Sequence, residues 1–156
     1  MLIYLSRHGD ASHPGPDKPS SLTPRGQSDV TRMAEHLIQE KDLKIDAVWH
    51  SPKTRALQTA QIYWKLLGNS GIPLMEKTVL SPDGDANVMR DDLLRQKTGN
   101  LLLVSHLPFL PDLAALLTGD SSLPGVFSFP TAGIVAFELD KTFRFLWSLT
   151  PESLKK

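Results

Sequence analysis

Leu2-Ile3-Tyr4-Leu5-Ser6-Arg7-His8-Gly9 begins as an apolar run and stops at a basic triplet ending in glycine. Four apolar residues followed at once by polar ones suit a short buried strand better than a helix, and a strand that ends on Arg-His-Gly delivers chemistry at its carboxyl end. The same order of events returns three times. Residues 45–49 form an apolar run that ends at His50-Ser51-Pro52. Residues 77–80 form a weaker one that ends at Ser81-Pro82-Asp83-Gly84-Asp85. Leu101-Leu102-Leu103-Val104, apolar on both faces as a central parallel strand should be, ends at Ser105-His106.

Helical patterns separate these runs. After a Pro- and Ser-rich loop over 10–21, Thr23-Pro24 supplies an N-cap and a proline at the first helical position. Val30, Met33, Ala34, Leu37 and Ile38 then fall on one helical face. A second helix is predicted to begin at Ser51-Pro52 and to carry Ala56, Leu57, Ala60, Trp64 and Leu67 as far as Gly68-Asn69. A third is predicted over 85–97, and a short fourth from Pro108 to Leu117, closed by Gly119. The tail differs: residues 133–139 and 143–149 alternate apolar and polar around Asp140-Lys141, the pattern of a β-hairpin.

Alternating strands and helices predict an α/β fold, a three-layer sandwich with a mostly parallel sheet and an antiparallel C-terminal hairpin. The length, 156 residues, predicts one domain over 1–156. With 40% apolar and 22% charged residues the composition is that of an ordinary globular chain. Seventeen basic residues balance seventeen acidic ones, so no overall charge favours nucleic acid or an acidic membrane. No cysteine is present, which excludes thiol nucleophiles, disulfides and thiolate zinc sites. No apolar run is long enough for a membrane span or a signal-peptide core, so a soluble, cytoplasmic protein is expected.

In open parallel sheets ligands bind beyond the carboxyl ends of the strands. Arg7 and His8, Ser51 with Arg55, Asp83 and His106 all fall just past strand ends, and are predicted to converge on one rim. Two arginines and two histidines there suit a phosphoryl group, which a guanidinium grips through paired hydrogen bonds. The free N–H groups of the helix predicted to start at Ser51-Pro52 favour the same anion. Among the cations Arg7 and Arg55 the imidazole of His8 is expected to be neutral and therefore nucleophilic.

Four segments, in order along the chain, carry a family resemblance. Arg7-His8-Gly9 resembles the signature triplet of the histidine phosphatase (phosphoglycerate mutase-like) superfamily. Leu22-Thr23-Pro24-Arg25-Gly26-Gln27 resembles its LTxxG segment, the stretch from Ser51-Pro52 to Arg55 and Ala60 its SPxxRAxQTA helix start, and Val104-Ser105-His106 its second-histidine motif. Arg7-His8-Gly9-Asp10-Ala11, Pro82-Asp83-Gly84-Asp85, Ser105-His106-Leu107-Pro108 and the shortness of the chain resemble the SixA-type phosphohistidine phosphatases. The resemblance implies that His8 is the nucleophile and that Arg7, Arg55 and His106 hold the phosphoryl oxygens. Gly9, Ser51 and Asp83 are then expected as substrate-binding neighbours. It implies no cofactor and no metal, since the arginines supply the positive charge. It also implies a partner protein bearing phosphohistidine, met by a monomer.

No residue of the segment 81–85, nor Glu76 upstream, matches the leaving-group acid of larger relatives. That gap favours a phosphoramidate, whose imidazole leaves as a neutral ring once its distal nitrogen is protonated, over an ester. A small-molecule phosphomonoesterase and a non-catalytic phosphohistidine-binding module are the alternatives. Outside this set, His13 is expected to be solvated, His36 to lie on the surface and His50 to be structural. Asp10, Asp83 and Asp85 suit turns or caps as well as acid catalysis, and Thr131-Ala132-Gly133 hints at backbone near the site.

Overall fold

Strand β1 (Leu2–Arg7) lies inside a six-stranded sheet, between β4 (Leu101–Ser105), which runs parallel to it, and β5 (Ile134–Leu139), which runs antiparallel. The structure, a computed structural model, describes residues 1–96, 99–119 and 128–154. With β2 (Ala47–His50), β3 (Leu74–Glu76) and β6 (Phe143–Leu149), the order across the sheet is β3-β2-β4-β1-β5-β6. The first four of these run parallel and the last two form the antiparallel hairpin.

The period of two along each strand divides the core. Tyr4, Leu102, Val104, Ile134 and Ala136 face Val30, Met33, Ala56, Ala60 and Tyr63 of helices α1 (Pro24–Lys41) and α2 (Thr54–Gly68). Ile3, Leu5, Leu101, Leu103, Val135 and Phe137 face Met89, Leu93, Phe109 and Leu113 of α3 (Ala86–Arg95) and α4 (Phe109–Thr118). The result is the expected three-layer α/β sandwich with an antiparallel C-terminal hairpin. Continuous apolarity in Leu101–Val104 follows from this, because β4 is covered on both faces.

Adjacent strands β1 and β4 send their chains to opposite faces, β1 to α1 and β4 to α4. Such a switch opens a crevice at the carboxyl edge of a parallel sheet. α1 starts as expected: the Thr23 hydroxyl accepts from the Gly26 N–H at 3.0 Å, with Pro24 next in line.

Several boundaries differ from the sequence expectation, and the second strand is Ala47–His50 where 45–49 was expected. The third strand is Leu74–Glu76, not 77–80, and Thr78–Leu80 forms a 3₁₀ turn that tucks Leu80 wholly into the core. β3 is a three-residue edge strand with an open side, so it has no apolar alternation to read, whereas the apolar character of Val79 and Leu80 belongs to a turn. Helix α2 starts at Thr54 and not at Pro52. The Ser51 hydroxyl accepts the Lys53 N–H at 3.1 Å, which makes a turn before the helix, and Lys53 is the residue that precedes it. α3 agrees with its expected start, since the Asp85 carboxylate accepts the Asn87 N–H; the expected end at 97 lies outside the described residues.

Candidate active site

Arg7 is the last residue of β1, and its backbone N–H donates to the Gly133 carbonyl at 3.1 Å. Its Nη1 donates to the Phe129 carbonyl at 3.1 Å, while its buried Nε has no partner. His8 follows, with its N–H on the Ser105 carbonyl and its own carbonyl accepting from Ala132. The histidine is thus pinned between the end of β4 and the turn before β5, at the crevice the topology creates.

His8 is 7% exposed, and its Nδ1 lies 2.8 Å from the Gly9 carbonyl oxygen. A carbonyl only accepts, so Nδ1 carries the proton and the lone pair sits on Nε2. Burial pushes the His8 pKa down to about 4; the Gly9 carbonyl pulls it upward, Arg55 and Arg7 push it down further, and Asp10 pulls it slightly back. The expectation of a neutral imidazole therefore holds, with desolvation rather than the neighbouring cations as its main cause.

His106 stands opposite, ring centroids 5.1 Å apart and planes tilted by 54°. It is 2% exposed, and its pKa is lowered to about 3, first by burial and then by His8, Arg55, Lys53 and Arg7. Its Nε2 lies 2.8 Å from the Ser51 hydroxyl, and its Nδ1 is buried without a partner. Arg55, in the first turn of α2, completes the group. Among the described residues no carboxylate forms an ion pair with Arg7 or Arg55. Two unneutralised guanidiniums and two buried ring or guanidinium nitrogens without partners mark a seat for an anion with several acceptor oxygens.

The pocket over this seat holds about 440 Å³ and is lined by Arg7, His8, Asp10, Arg55, His106 and Thr131, with Ala11, His13, Ser20, Pro82 and Leu107 around them. A larger hollow of about 600 Å³ between the start of α3 and α4 gathers Asp85, Arg90 and Asp112, but no histidine. Among the described residues no three His, Asp or Glu side chains cluster as metal ligands would.

The structure therefore brings four of the seven expected residues, Arg7, His8, Arg55 and His106, to one pocket, and moves three out of it. Asp83 is exposed and does not line the pocket. The Ser105 hydroxyl holds the Leu80 carbonyl at 2.5 Å and the Gly84 N–H returns to Ser81, so the turn between them presents Pro82 to the pocket instead. Gly9 gives its N–H to the Thr59 hydroxyl at 3.0 Å and so has none for a ligand. Its lack of a side chain serves packing, since a Cβ there would stand 2.9 Å from Val30 and 3.0 Å from the Gly26 carbonyl. Ser51 is wholly buried beneath the pocket and reaches it only through His106.

Sequence reasoning missed Thr59, whose hydroxyl donates to the Arg55 carbonyl and accepts from Gly9, joining the two halves of the site. It also left His13 to solvent, although His13 lines the pocket from an exposed loop. No periodicity marks a loop, so only the tertiary path could place it. Thr131-Ala132-Gly133 had a legible signal, and the turn does carry Ala132 in the left-handed region at φ 63° and bonds its N–H to His8. Asp10 acts as a bracket, its carboxylate accepting the Thr23 hydroxyl at 2.6 Å, and it also lines the pocket. His50 is buried, its Nδ1 2.8 Å from the Ser51 carbonyl, as a structural histidine should be.

A neutral histidine at the end of a central strand, facing a second histidine in a pocket that two arginines also line, is the arrangement the sequence resemblance predicts. The family description for the histidine phosphatase superfamily (branch 1) matches residues 3–78, the part of the chain that carries Arg7, His8 and Arg55. Among solved structures it is similar to the protein histidine phosphatase SixA complexed with tungstate: 28% identity, 99% of this chain and 100% of that one covered, TM-score 0.85. It also shares its fold with a phosphoserine phosphatase from Entamoeba histolytica bound to phosphoserine (15% identity, 99% of each chain, TM-score 0.74). The alpha-ribazole phosphatase from Shigella flexneri has the same fold (20% identity, 94% of this chain and 96% of that one, TM-score 0.67). No curated protein matches the chain in sequence.

Proposed function

We propose that this protein, acting as one domain, is a phosphohistidine phosphatase that removes the phosphoryl group from a histidine on a partner protein. The observation that carries the reading is the His8 ring, which is tied to the Gly9 carbonyl through Nδ1 and so keeps a free lone pair on Nε2 beside the unpaired cations Arg7 and Arg55.

In the first transfer His8 Nε2 attacks phosphorus, a new N–P bond forms, and the N–P bond to the substrate ring breaks. The electron pair leaves with that ring, which departs neutral when its distal nitrogen carries a proton. In the second, water attacks phospho-His8, inorganic phosphate forms, and the electron pair returns to Nε2. Arg7, Arg55 and His106 hold the equatorial oxygens throughout. A preorganised donor of this kind is typically worth about 3–4 kcal/mol, or roughly 10²–10³ in rate. The guanidiniums provide the positive charge that a metal supplies in other phosphatases.

Two observations support a protein substrate. Among the described residues between Arg55 and His106, Pro82 alone contributes to the pocket lining, so no described insertion covers the seat. Among the described residues no carboxylate beyond Asp10 lines the pocket, and Asp10 is already engaged by Thr23, which suits a leaving group that needs little acid assistance. The likeness to SixA agrees with this substrate class, whereas the phosphoserine and alpha-ribazole phosphatases keep a small phosphomonoester as the second reading.

The test is phosphate release from a phosphohistidine-bearing phosphotransfer protein beside a panel of small phosphomonoesters, for wild type and His8→Ala, without added metal. Preference for the phosphoprotein, lost in the variant, is the expected result. Preference for a small ester would replace the substrate and retain the nucleophile, and no turnover of anything would leave a binding module.

A further inference from the structure

We propose that Ser51 is a positioning residue that fixes the tautomer of His106, so that this ring offers Nδ1–H as a neutral hydrogen-bond donor to a phosphoryl oxygen. The inference rests on the phosphoryl-transfer reading above and adds a residue that does not itself meet the substrate.

The argument is an account of one buried hydroxyl. Ser51 follows β2, its backbone N–H donates to the Val104 carbonyl, and it is wholly buried. Its position is thus set by the pairing of β2 with β4, the strand that also carries His106 at its end. The Ser51 hydroxyl oxygen accepts the Lys53 N–H at 3.1 Å and lies 2.8 Å from His106 Nε2. A hydroxyl has one proton and two lone pairs.

Two arrangements satisfy that 2.8 Å contact. If Nε2 donated to the hydroxyl, the serine oxygen would accept twice and its own proton would need another acceptor. The described residues show none. His106 would then turn a bare lone pair on Nδ1 toward its surroundings, and that lone pair would repel any phosphoryl oxygen. If the hydroxyl donates to Nε2, every group is paired: one lone pair of Ser51 takes Lys53, its proton takes Nε2, and Nδ1 bears the ring's proton. Leaving buried polar groups unpaired costs about 1–3 kcal/mol each, so the second arrangement wins.

Nδ1 is also the sole nitrogen His106 has left to offer. It is buried, it has no partner, and the residue lines the pocket with Arg7, His8 and Arg55. Because burial and the surrounding cations hold the ring neutral, it has one N–H and not two. The choice of tautomer therefore decides whether His106 attracts or repels the anion. A hydroxyl held by the Lys53 N–H, on a residue whose own N–H is bound to the Val104 carbonyl, makes that choice before substrate arrives, which is what preorganisation requires.

The experiment reads the ring nitrogens directly. Protein labelled with ¹⁵N-histidine is observed by NMR near neutral pH, with His106→Gln used to assign the resonances. In wild type the expected pattern for His106 is protonated Nδ1 and unprotonated Nε2. In Ser51→Ala, Nε2–H becomes populated and kcat falls on the order of tenfold to a hundredfold, while the His8 tautomer stays as it was. Ser51→Thr, which keeps the hydroxyl, restores the pattern. A wild-type His106 protonated on Nε2 overturns the proposal even if no variant folds. So does a Ser51→Ala protein with unchanged tautomer and rate. If wild type hydrolyses no phosphorylated substrate, the functional reading fails instead, and the tautomer measurement still stands.

Discussion

Acidification separates a buried, neutral histidine nucleophile from an ordinary exposed one. The ordinary histidine pKa is 6.5, and that of His8 is lowered to about 4, with burial as the largest cause. At about pH 5 a histidine of ordinary pKa is roughly 3% neutral, whereas one near 4 is roughly 90% neutral, a ratio of about thirty. The acid limb of kcat/KM, which reports the free enzyme, should therefore be missing between about pH 5 and 7 and set in only near pH 4. The assay is kcat/KM against pH, divided by the substrate's own ionisation, with the ¹⁵N resonances of His8 followed over the same range.

The same shift couples to stability, and its sign is fixed. The folded pKa lies below the unfolded one, so between about pH 6.5 and 4 the unfolded chain binds more protons. Stability is full above that window, falls as pH drops through it, and levels off below. For His8 the full effect is about 3 kcal/mol, from about 1.4 kcal/mol per unit. A slope-one acid limb centred near pH 6.5 that belongs to the enzyme, or a His8 resonance titrating there, would refute the reasoning. It would mean that water reaches the ring in solution.

Three further outcomes follow from the packing around the site. Arg55→Lys keeps the charge but loses the planar fork; steady-state kinetics should show kcat/KM reduced by about 10²-fold, with the fold intact by circular dichroism. Thr59→Val removes the acceptor of the buried Gly9 N–H and the donor to the Arg55 carbonyl; urea unfolding should show a loss of about 1–3 kcal/mol, together with reduced turnover. Gly26→Ala would put a Cβ 2.1 Å from the Asp10 carbonyl oxygen, so α1 and the Asp10 bracket cannot both stay in place. Thermal unfolding should show destabilisation of about 1–3 kcal/mol or more, with activity impaired because Asp10 lines the pocket.

The strands that are easiest to recognise are those whose faces are both covered. Leu101–Val104 and Leu2–Leu5 are apolar because helices lie on each side, and their places in the chain were legible for that reason. Leu74–Glu76 was not legible, because an edge strand half open to solvent has no alternation to show. Arg7, His8, Arg55 and His106 were legible as a group because each lies at or shortly past a strand end, and a parallel sheet brings such ends together. His13 reaches the pocket from an irregular loop, and Thr59 sits among the helix's buried residues where a polar side chain carries no periodic signal.

By itself the sequence determined the α/β sandwich, the edge of the sheet where the candidate site lies, and the four side chains gathered there. These depend on local pattern and on the regular geometry of strands and helices. The tertiary structure alone decided the state and partner of each group. The proton on His8 is fixed by the Gly9 carbonyl, its neutrality mainly by burial, and the remaining nitrogen of His106 by a serine brought in from another strand. Hydrogen bonds and desolvation arise from neighbours distant in sequence, so no reading along the chain could have assigned them.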